Sequence, residues 1–172
     1  MSIIRREQPQ DIPEVRQVNI RAFGQEQEAL VIDQLRKNCN SILSLVALND
    51  GKVVGHILFS PAVIEGRHGR LVGTGLAPLA VVPEYQRKGI GSELIQTGIA
   101  RIREGGCPYI IVIGHPDYYT RFGFDQAGRF GICCEWGVPK EAFMILVLDR
   151  RAMNGITGVA RYRQEWAEAM KL

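Results

Sequence analysis

Leu79-Ala80-Val81-Val82-Pro83-Glu84-Tyr85-Gln86-Arg87-Lys88-Gly89-Ile90-Gly91 is the stretch on which the reading of this chain turns. Its first four residues have no polar face, as expected for a strand buried on both sides, and Pro83 ends that strand. Gly91 to Arg103 then reads as a helix, with Leu94, Ile95, Ile99 and Ile102 spaced to face inward and Gly105-Gly106 as its stop. The segment between strand and helix can hold an anion. The first N–H groups of a helix lack intrahelical partners and its dipole is positive at that end, and phosphate oxygens answer both. Gly89 and Gly91 let a ligand approach the backbone, and Arg87 and Lys88 add positive charge. Two readings are open: a pyrophosphate cradle, or a glycine turn that merely starts a helix. Gln86 and the apolar strand before it favour the cradle.

Other phosphate motifs fail in detail. A Walker A loop needs G-x-x-x-x-G-K followed by Ser or Thr, and no such run occurs. A dinucleotide fingerprint needs G-x-G-x-x-G. Gly73-Thr74-Gly75 and Gly89-Ile90-Gly91 both lack the third glycine.

Working outward, Ser2 to Arg6 predicts a short strand and Asp11 a helix N-cap, with Pro13 and Glu14 in the first turn. Ile12, Val15, Val18 and Ala22 give that helix one apolar face. A second helix is expected over Glu26 to Arg36, with Leu30, Val31 and Leu35 toward the core. Ile42–Leu48, the turn Asn49-Asp50-Gly51 and Lys52–Phe59 form an antiparallel hairpin. A polar turn over Glu65 to Arg70 leads to a strand within Leu71 to Val82. After the helix, Tyr109–Ile113 is a wholly apolar strand. Strand, helix and strand in that order make a crossover, so these two strands run parallel. A short helix around Asp117 to Phe122, a late strand over Ala142 to Leu148 and a terminal helix over Arg161 to Met170 complete the chain. The sum is a mixed α/β domain: antiparallel hairpins first, one parallel crossover in the middle, antiparallel strands last. No linker or repeat divides residues 1–172.

Composition limits the function classes. The 172 residues are 46% hydrophobic and 23% charged, in the range of soluble globular proteins. No run approaches the ~18 apolar residues of a membrane span, and the N-terminus lacks the apolar core of a secretory signal, so a cytoplasmic protein away from membranes is expected. A net charge of +3, from 21 basic and 18 acidic residues, is too mild for a nucleic-acid partner. Cys39, Cys107, Cys133 and Cys134 form no C-x-x-C pair and suit neither a disulfide framework nor a metal site. Buried, reduced spectator thiols are expected.

Leu79 to Gly91 closely resembles the acyl-CoA-binding motif of the GNAT acyltransferase superfamily, whose core Q/R-x-x-G-x-G/A fits at Gln86, Gly89 and Gly91. Tyr118-Tyr119-Thr120-Arg121-Phe122-Gly123-Phe124 is similar to the aromatic-Tyr-x-x-x-Gly-Phe signature that follows the fifth strand in this superfamily. The order and spacing of the two motifs agree, and the resemblance spans most of the chain. It implies a GNAT-like fold, with a mostly antiparallel central sheet, one parallel splayed strand pair and flanking helices. It also implies an N-acetyltransferase with acetyl-CoA as co-substrate and no metal. The pyrophosphate would sit on Arg87, Lys88, Gly89, Ile90 and Gly91, with Ser92 at the helix start. The pantetheine arm would pair with the backbone of Leu79, Ala80, Val81 and Val82, because an opened strand pair leaves main-chain groups that an amide-bearing arm can satisfy. A backbone N–H at Val81 or Val82 would polarise the thioester carbonyl.

In such an enzyme an amine attacks the thioester directly. Tyr119 matches the general-acid position, and a phenol, with a reference pKa of ~10, is protonated at neutral pH. The alternative is that Tyr118 and Tyr119 only pack the short helix. Some relatives carry a glutamate on the strand leading into the loop, and Gly73 to Pro78 has none. His115 is the candidate base, since imidazole titrates near neutrality, although His115-Pro116-Asp117 can equally be a helix start capped by Asp117. Glu135, Glu28 and Glu26 could line an acceptor pocket or be solvated, and Trp136 and Phe143 are expected in the core. The acceptor, a small-molecule or protein amine, is not readable. A homodimer is common in this superfamily but nothing in the sequence demands one. A domain that binds acyl-CoA without turnover is the competing function.

Overall fold

The computed structural model describes residues 2–67 and 69–169. Met1, His68 in the expected polar turn and Met170 at the end of the expected terminal helix lie outside the described residues. In chain order the elements are β1 (Ile3–Arg6), α1 (Ile12–Phe23), α2 (Gln27–Asn38), β2 (Leu43–Asn49), β3 (Lys52–Gly66), β4 (Gly69–Val81), α3 (Ile90–Glu104), β5 (Tyr109–Ile113), α4 (Pro116–Tyr119), β6 (Asp125–Gln126), β7 (Ile132–Cys134), β8 (Phe143–Val147), α5 (Arg150–Met153), β9 (Gly158–Arg161) and α6 (Gln164–Ala169). Two compact units emerge, and β3, β4 and α3 each run through both.

The first unit takes in residues 2–59, 77–100 and 164–169. Here β1 pairs antiparallel with β2, and β2 with the first half of β3. The Asn49-Asp50-Gly51 turn forms as expected, with φ of 50° at Asp50 and 78° at Gly51, the paired left-handed residues that a two-residue hairpin needs. Side chains alternate across a strand, so neighbouring positions of β3 meet different helices. Gly55 faces α3, where a Cβ would lie 3.0 Å from Ile90 and 3.1 Å from Leu94. His56 faces α1. Gly98 of α3 lies flat on the Phe59 ring, so close that a Cβ would be 2.3 Å from it. Val15, Val18, Ile32, Leu35, Leu45, Ile57, Leu94 and Ile95 are all buried around these strands. At ~25 cal/mol per Å² of apolar surface, each large side chain contributes roughly 1.5–3 kcal/mol.

His56 is fully buried inside this apolar layer, with polar partners. Asn19 Nδ2 lies 3.1 Å from its Nδ1, and Ser44 Oγ lies 2.8 Å from its Nε2. The other hydrogen of Asn19 Nδ2 goes to the Val15 carbonyl at 3.0 Å. The Asn19 group is therefore the donor, Nδ1 accepts, and the ring proton sits on Nε2 and points to Ser44.

The second unit takes in residues 60–67, 69–76 and 101–163. The end of β3 pairs antiparallel with β9, β5 pairs antiparallel with β8 over its whole length, and β6 pairs with β8. The expected parallel crossover is present, because β4 and β5 pair parallel over Thr74–Leu76 and Ile110–Val112. That ladder is short and stops five residues before β4 ends at Val81. β5 fills the core of this unit, with Tyr109 to Val112 at 0–1% exposure.

Several local expectations are corrected. Leu30 is 52% exposed, and Ala29, Val31, Ile32 and Leu35 form the buried face of α2. Asp11 occupies the N-cap position of α1, as expected, but makes no side-chain cap bond. Its carboxylate binds Arg5 at 2.6 and 3.0 Å and accepts the Gln8 N–H at 2.7 Å, closing the turn before the helix. The Arg5 hydrogen bonds hold that carboxyl below its usual range. Asp117 lies in the first turn of α4, and His115 occupies the N-cap position. Arg161 belongs to β9, so the terminal helix starts only at Gln164. β7 and β9, two strands absent from the elements expected above, form a further short parallel pair. Cys39 is buried, but Cys133 is exposed, contrary to the expectation of buried thiols. Phe143 is core, as expected, whereas Trp136 is half-buried.

Candidate active site

The first unit carries the expected phosphate loop. β4 ends at Val81, Pro83–Tyr85 make one tight turn, and α3 begins at Ile90. Between them Arg87 has a φ of 62° and Gly89 of 86°. Gly89 adopts this conformation at no steric cost, but Arg87 is strained there, and such strain collects at functional sites. Left-handed residues alternating with right-handed ones turn successive N–H groups to one side, forming an anion-binding hollow. The Gly89 carbonyl accepts the first helical bond, from Glu93 N–H at 3.0 Å, so the hollow runs directly into the first turn of α3. Arg87, Lys88 and Gly89 are exposed, Gly91 and Ser92 half-exposed, and Ile90 buried as the anchor. The Lys88 ammonium stands 5.3 Å from the centre of the Tyr85 ring.

Gln86 explains how the loop is fixed. Its Nε2 donates to the Val81 carbonyl at 2.9 Å, tying the loop back to the strand it leaves. The Val82 N–H donates to the Val54 carbonyl of β3 at 3.0 Å. Val82 is therefore committed to the sheet, which corrects the expectation that its amide could polarise a substrate. Backbone groups alternate in direction along a strand, so the Val81 amide points away from β3. Of the four strand residues expected to meet the donor arm, Leu79 and Val81 have this outward direction, and Ala80, like Val82, faces β3. Arg21 of α1 pairs with Glu84 in the turn, which pulls the Glu84 carboxyl below its usual range.

The second unit carries the aromatic motif. β5 ends at Ile113, His115 is exposed, and α4 brings Tyr119 back into the core at 9% exposure. The Tyr119 ring lies against Gly114, where a Cβ would be 2.4 Å from it. It meets Tyr118 edge-on at 5.1 Å and Phe124 at 5.7 Å. Burial pushes its phenol well above the ordinary value, so it is protonated at any working pH. The His115 side chain makes no cap bond, while its carbonyl accepts the N–H groups of Tyr118 and Tyr119 at 3.1 and 3.2 Å. His115 and Tyr119 thus share one turn of chain.

Sequence reasoning missed Tyr162. The residue directly follows β9 in Arg161-Tyr162-Arg163, and neither spacing nor motif marks it. Its ring covers Gly75 and stacks on Trp136, with centroids 5.5 Å apart and planes 18° from parallel. Its hydroxyl is buried and donates to the carbonyls of Leu76 at 2.9 Å and Ile111 at 3.3 Å. Glu135 is likewise not a merely solvated face. Its Oε2 accepts the Tyr162 N–H at 2.7 Å, and partial burial raises its carboxyl above the usual range. Glu28 accepts from Gln25, while Glu26 is exposed at the start of α2. Among the described residues no group of His, Cys, Asp and Glu is placed to hold a metal ion.

Residues 3–127 match the family model described as an acetyltransferase (GNAT) domain. The chain belongs to the GNAT N-acetyltransferases. It is 34% identical over 165 residues to YhbS of Escherichia coli K12, an uncharacterized N-acetyltransferase, covering 95% of this chain and 98% of YhbS. It is 42% identical over 134 residues to YjhQ of the same organism, another uncharacterized N-acetyltransferase, covering 76% of this chain and 74% of YjhQ. The crystal structure of the Escherichia coli YhbS in complex with CoA superposes with a TM-score of 0.90, over 96% of this chain and 92% of that one. A GNAT acetyltransferase of Brucella melitensis, in complex with acetyl-CoA, is 34% identical with a TM-score of 0.79, over 96% of this chain and 98% of that one. The GNAT fold expected from the sequence is therefore the fold of this chain. No helix among the described residues is long and apolar enough to cross a membrane.

Proposed function

We propose that this chain, working as one catalytic domain, moves an acetyl group from acetyl-CoA to a primary amine by direct attack. The observation that carries the reading is the loop itself: left-handed Arg87 and Gly89 open onto the first turn of α3, with the Arg87 and Lys88 side chains exposed beside it. Arg87 to Gly91 hold the pyrophosphate, with Ser92 in the same helical turn, and the outward main-chain groups of Leu79 and Val81 pair with the pantetheine arm. The complexes of YhbS with CoA and of the Brucella relative with acetyl-CoA support the same donor here.

The neutral amine attacks the thioester carbonyl carbon, whose oxygen gains negative charge and is stabilised by the Val81 N–H. The C–S bond breaks as the new C–N bond forms. Tyr119 gives its proton to the departing sulfur, and His115 takes the proton that the amine loses. Burial disfavours the phenolate, so the proton taken by His115 passes through solvent to restore Tyr119, both groups return to their starting states, and the products are an amide and free CoA thiol.

Calorimetric titration with acetyl-CoA, beside a Gly89→Glu variant, tests the donor site. A side chain at Gly89 meets nothing within 4 Å, so the variant folds with a backbone penalty of about 1–2 kcal/mol. Wild type binds, and the variant, with a carboxylate in the hollow, binds at least tenfold more weakly. No binding by wild type would refute the reading. Binding without turnover across a panel of amines would leave a sensing module in place of an enzyme.

A further inference from the structure

Glu135 and Trp136 take no part in the steps above, yet both are held firmly in the second unit. They lie in the tight turn that leaves β7. The Glu135 N–H donates to the Ala160 carbonyl at 3.2 Å, the Trp136 N–H to Cys134 Sγ at 3.4 Å, and the Val138 N–H to the Trp136 carbonyl at 2.9 Å. Tyr162 anchors both side chains. Its N–H donates to Glu135 Oε2 at 2.7 Å, and its ring stacks on one face of the indole at 5.5 Å. The Tyr162 hydroxyl is committed to the Leu76 and Ile111 carbonyls, so the polar chemistry here falls to Glu135. Desolvation raises that carboxyl above its usual range. Arg161 attracts it without forming an ion pair, and Oε1 has no hydrogen-bond partner among the described residues. A half-buried carboxylate in this state is stabilised by a cation placed against it. Trp136 is half-exposed, and among the described residues no second ring packs on the indole. An open indole face is where an ammonium on an apolar stem settles. Burial first, and then the neighbouring Tyr119, Cys134 and Glu135, hold the Tyr162 phenol well above its ordinary value, so the candidate acid Tyr119 and the Glu135 carboxylate lie within electrostatic reach of one hydroxyl.

We propose that Glu135 and Trp136 hold a cationic nitrogen of the acceptor, and that this nitrogen is not the one acetylated. A carboxylate beside an ammonium favours its charged form, whereas the attacking amine must be neutral. The held nitrogen therefore stays charged, and a second nitrogen of the same molecule attacks. The acceptor class is a small diamine or polyamine. This specificity role rests on the acetyltransferase reading above.

Binding is tested first, with 1,4-diaminobutane as the probe and 1,4-butanediol as its neutral counterpart, followed by NMR shifts of the Glu135 to Gly137 amides. Wild type is compared with Glu135→Gln, whose amide oxygen still accepts the Tyr162 N–H, and with Trp136→Leu. The diamine should shift these amides saturably in wild type and the diol should not, and each variant should bind the diamine at least tenfold more weakly. No saturable shift with the diamine, equal binding of the diol, or affinity within twofold of wild type in Glu135→Gln would overturn the proposal. Turnover, read as CoA thiol released from acetyl-CoA, separates an acceptor from a bystander cation. In wild type kcat/KM for 1,4-diaminobutane should exceed that for n-butylamine at least tenfold, and Glu135→Gln should lose this preference through KM. Equal values for the two amines, or turnover of neither by a chain that binds acetyl-CoA, would overturn the acceptor role. Diamine binding by a chain that does not bind acetyl-CoA would overturn the acetyltransferase reading, and the acceptor role with it. Should Glu135→Gln not fold, Trp136→Leu carries the same comparison.

Discussion

Acidification should destabilise the fold through one buried imidazole. His56 is fully buried, and desolvation, with a smaller contribution from Arg36, brings its pKa down from 6.5 to about 3. The hydrogen bonds say the same independently: Nδ1 accepts from Asn19, and protonating it would set two donors against each other. In the unfolded chain the imidazole takes its proton near pH 6.5, while in the folded chain it resists until about pH 3. Between those values the unfolded state binds more protons, so stability falls as the pH falls. At pH 4.5 the free ring is two units below its midpoint and the buried one is still neutral. The loss attributable to His56 is therefore about 3 kcal/mol, a large share of the 5–15 kcal/mol typical of a domain. Above pH 7 the contribution is negligible. Urea unfolding at pH 7.5 and 4.5, for wild type and His56→Gln, isolates it. Glutamine keeps an acceptor and a donor in the site but does not titrate. Wild type should lose about 3 kcal/mol more than the variant over this interval. Equal losses in the two proteins would show that His56 is not excluded from protonation in the folded chain.

Two other outcomes follow from the geometry. Tyr119→Phe retains the ring contacts with Gly114, Tyr118 and Phe124, so its melting temperature and acetyl-CoA affinity should match wild type, while kcat falls by roughly 10²–10⁴; an unchanged kcat would reduce Tyr119 to a packing residue. Gly98→Ala places a methyl group 2.3 Å from the Phe59 ring and should cost about 1–3 kcal/mol by overpacking, read as a lower urea midpoint, despite the better helix propensity of alanine. A gain in stability there would refute the close contact between Gly98 and the Phe59 ring.

The two motifs were legible because their chemistry is local. A left-handed loop before a helix needs glycine at a fixed offset and a short tether from Gln86 to Val81, and all of that lies between Val81 and Gly89. The aromatic turn of Tyr118 to Phe124 is equally local, closed by Gly123 at a φ of 96°. Apolar runs of four and five residues were enough to announce β4 and β5, and their separation by a helix announced that they are parallel.

Other features were settled by partners distant in sequence. Leu30 has the spacing of a core residue, but the face of α2 that meets its neighbours is set by tertiary packing, and Leu30 falls outside it. Asp11 carries a cap signature, but its carboxylate is taken by the Arg5 guanidinium and the Gln8 N–H, so no cap bond to α1 forms. His56 reads as one more polar residue in a strand; only its burial in the folded layer keeps it neutral, with Asn19 and Ser44 as its hydrogen-bond partners. That the Val82 amide is already bonded, to the Val54 carbonyl, is likewise visible only in the folded chain. Tyr162 gave no sign at all, because its hydroxyl bonds the carbonyl of Leu76, 86 residues earlier in the chain. The sequence by itself determined the family, the loop and the order of strands, since each rests on periodicity or short-range geometry. The tertiary structure alone decided which main-chain groups are left unpaired, because a hydrogen bond is made or lost only when two distant segments arrive at the same place.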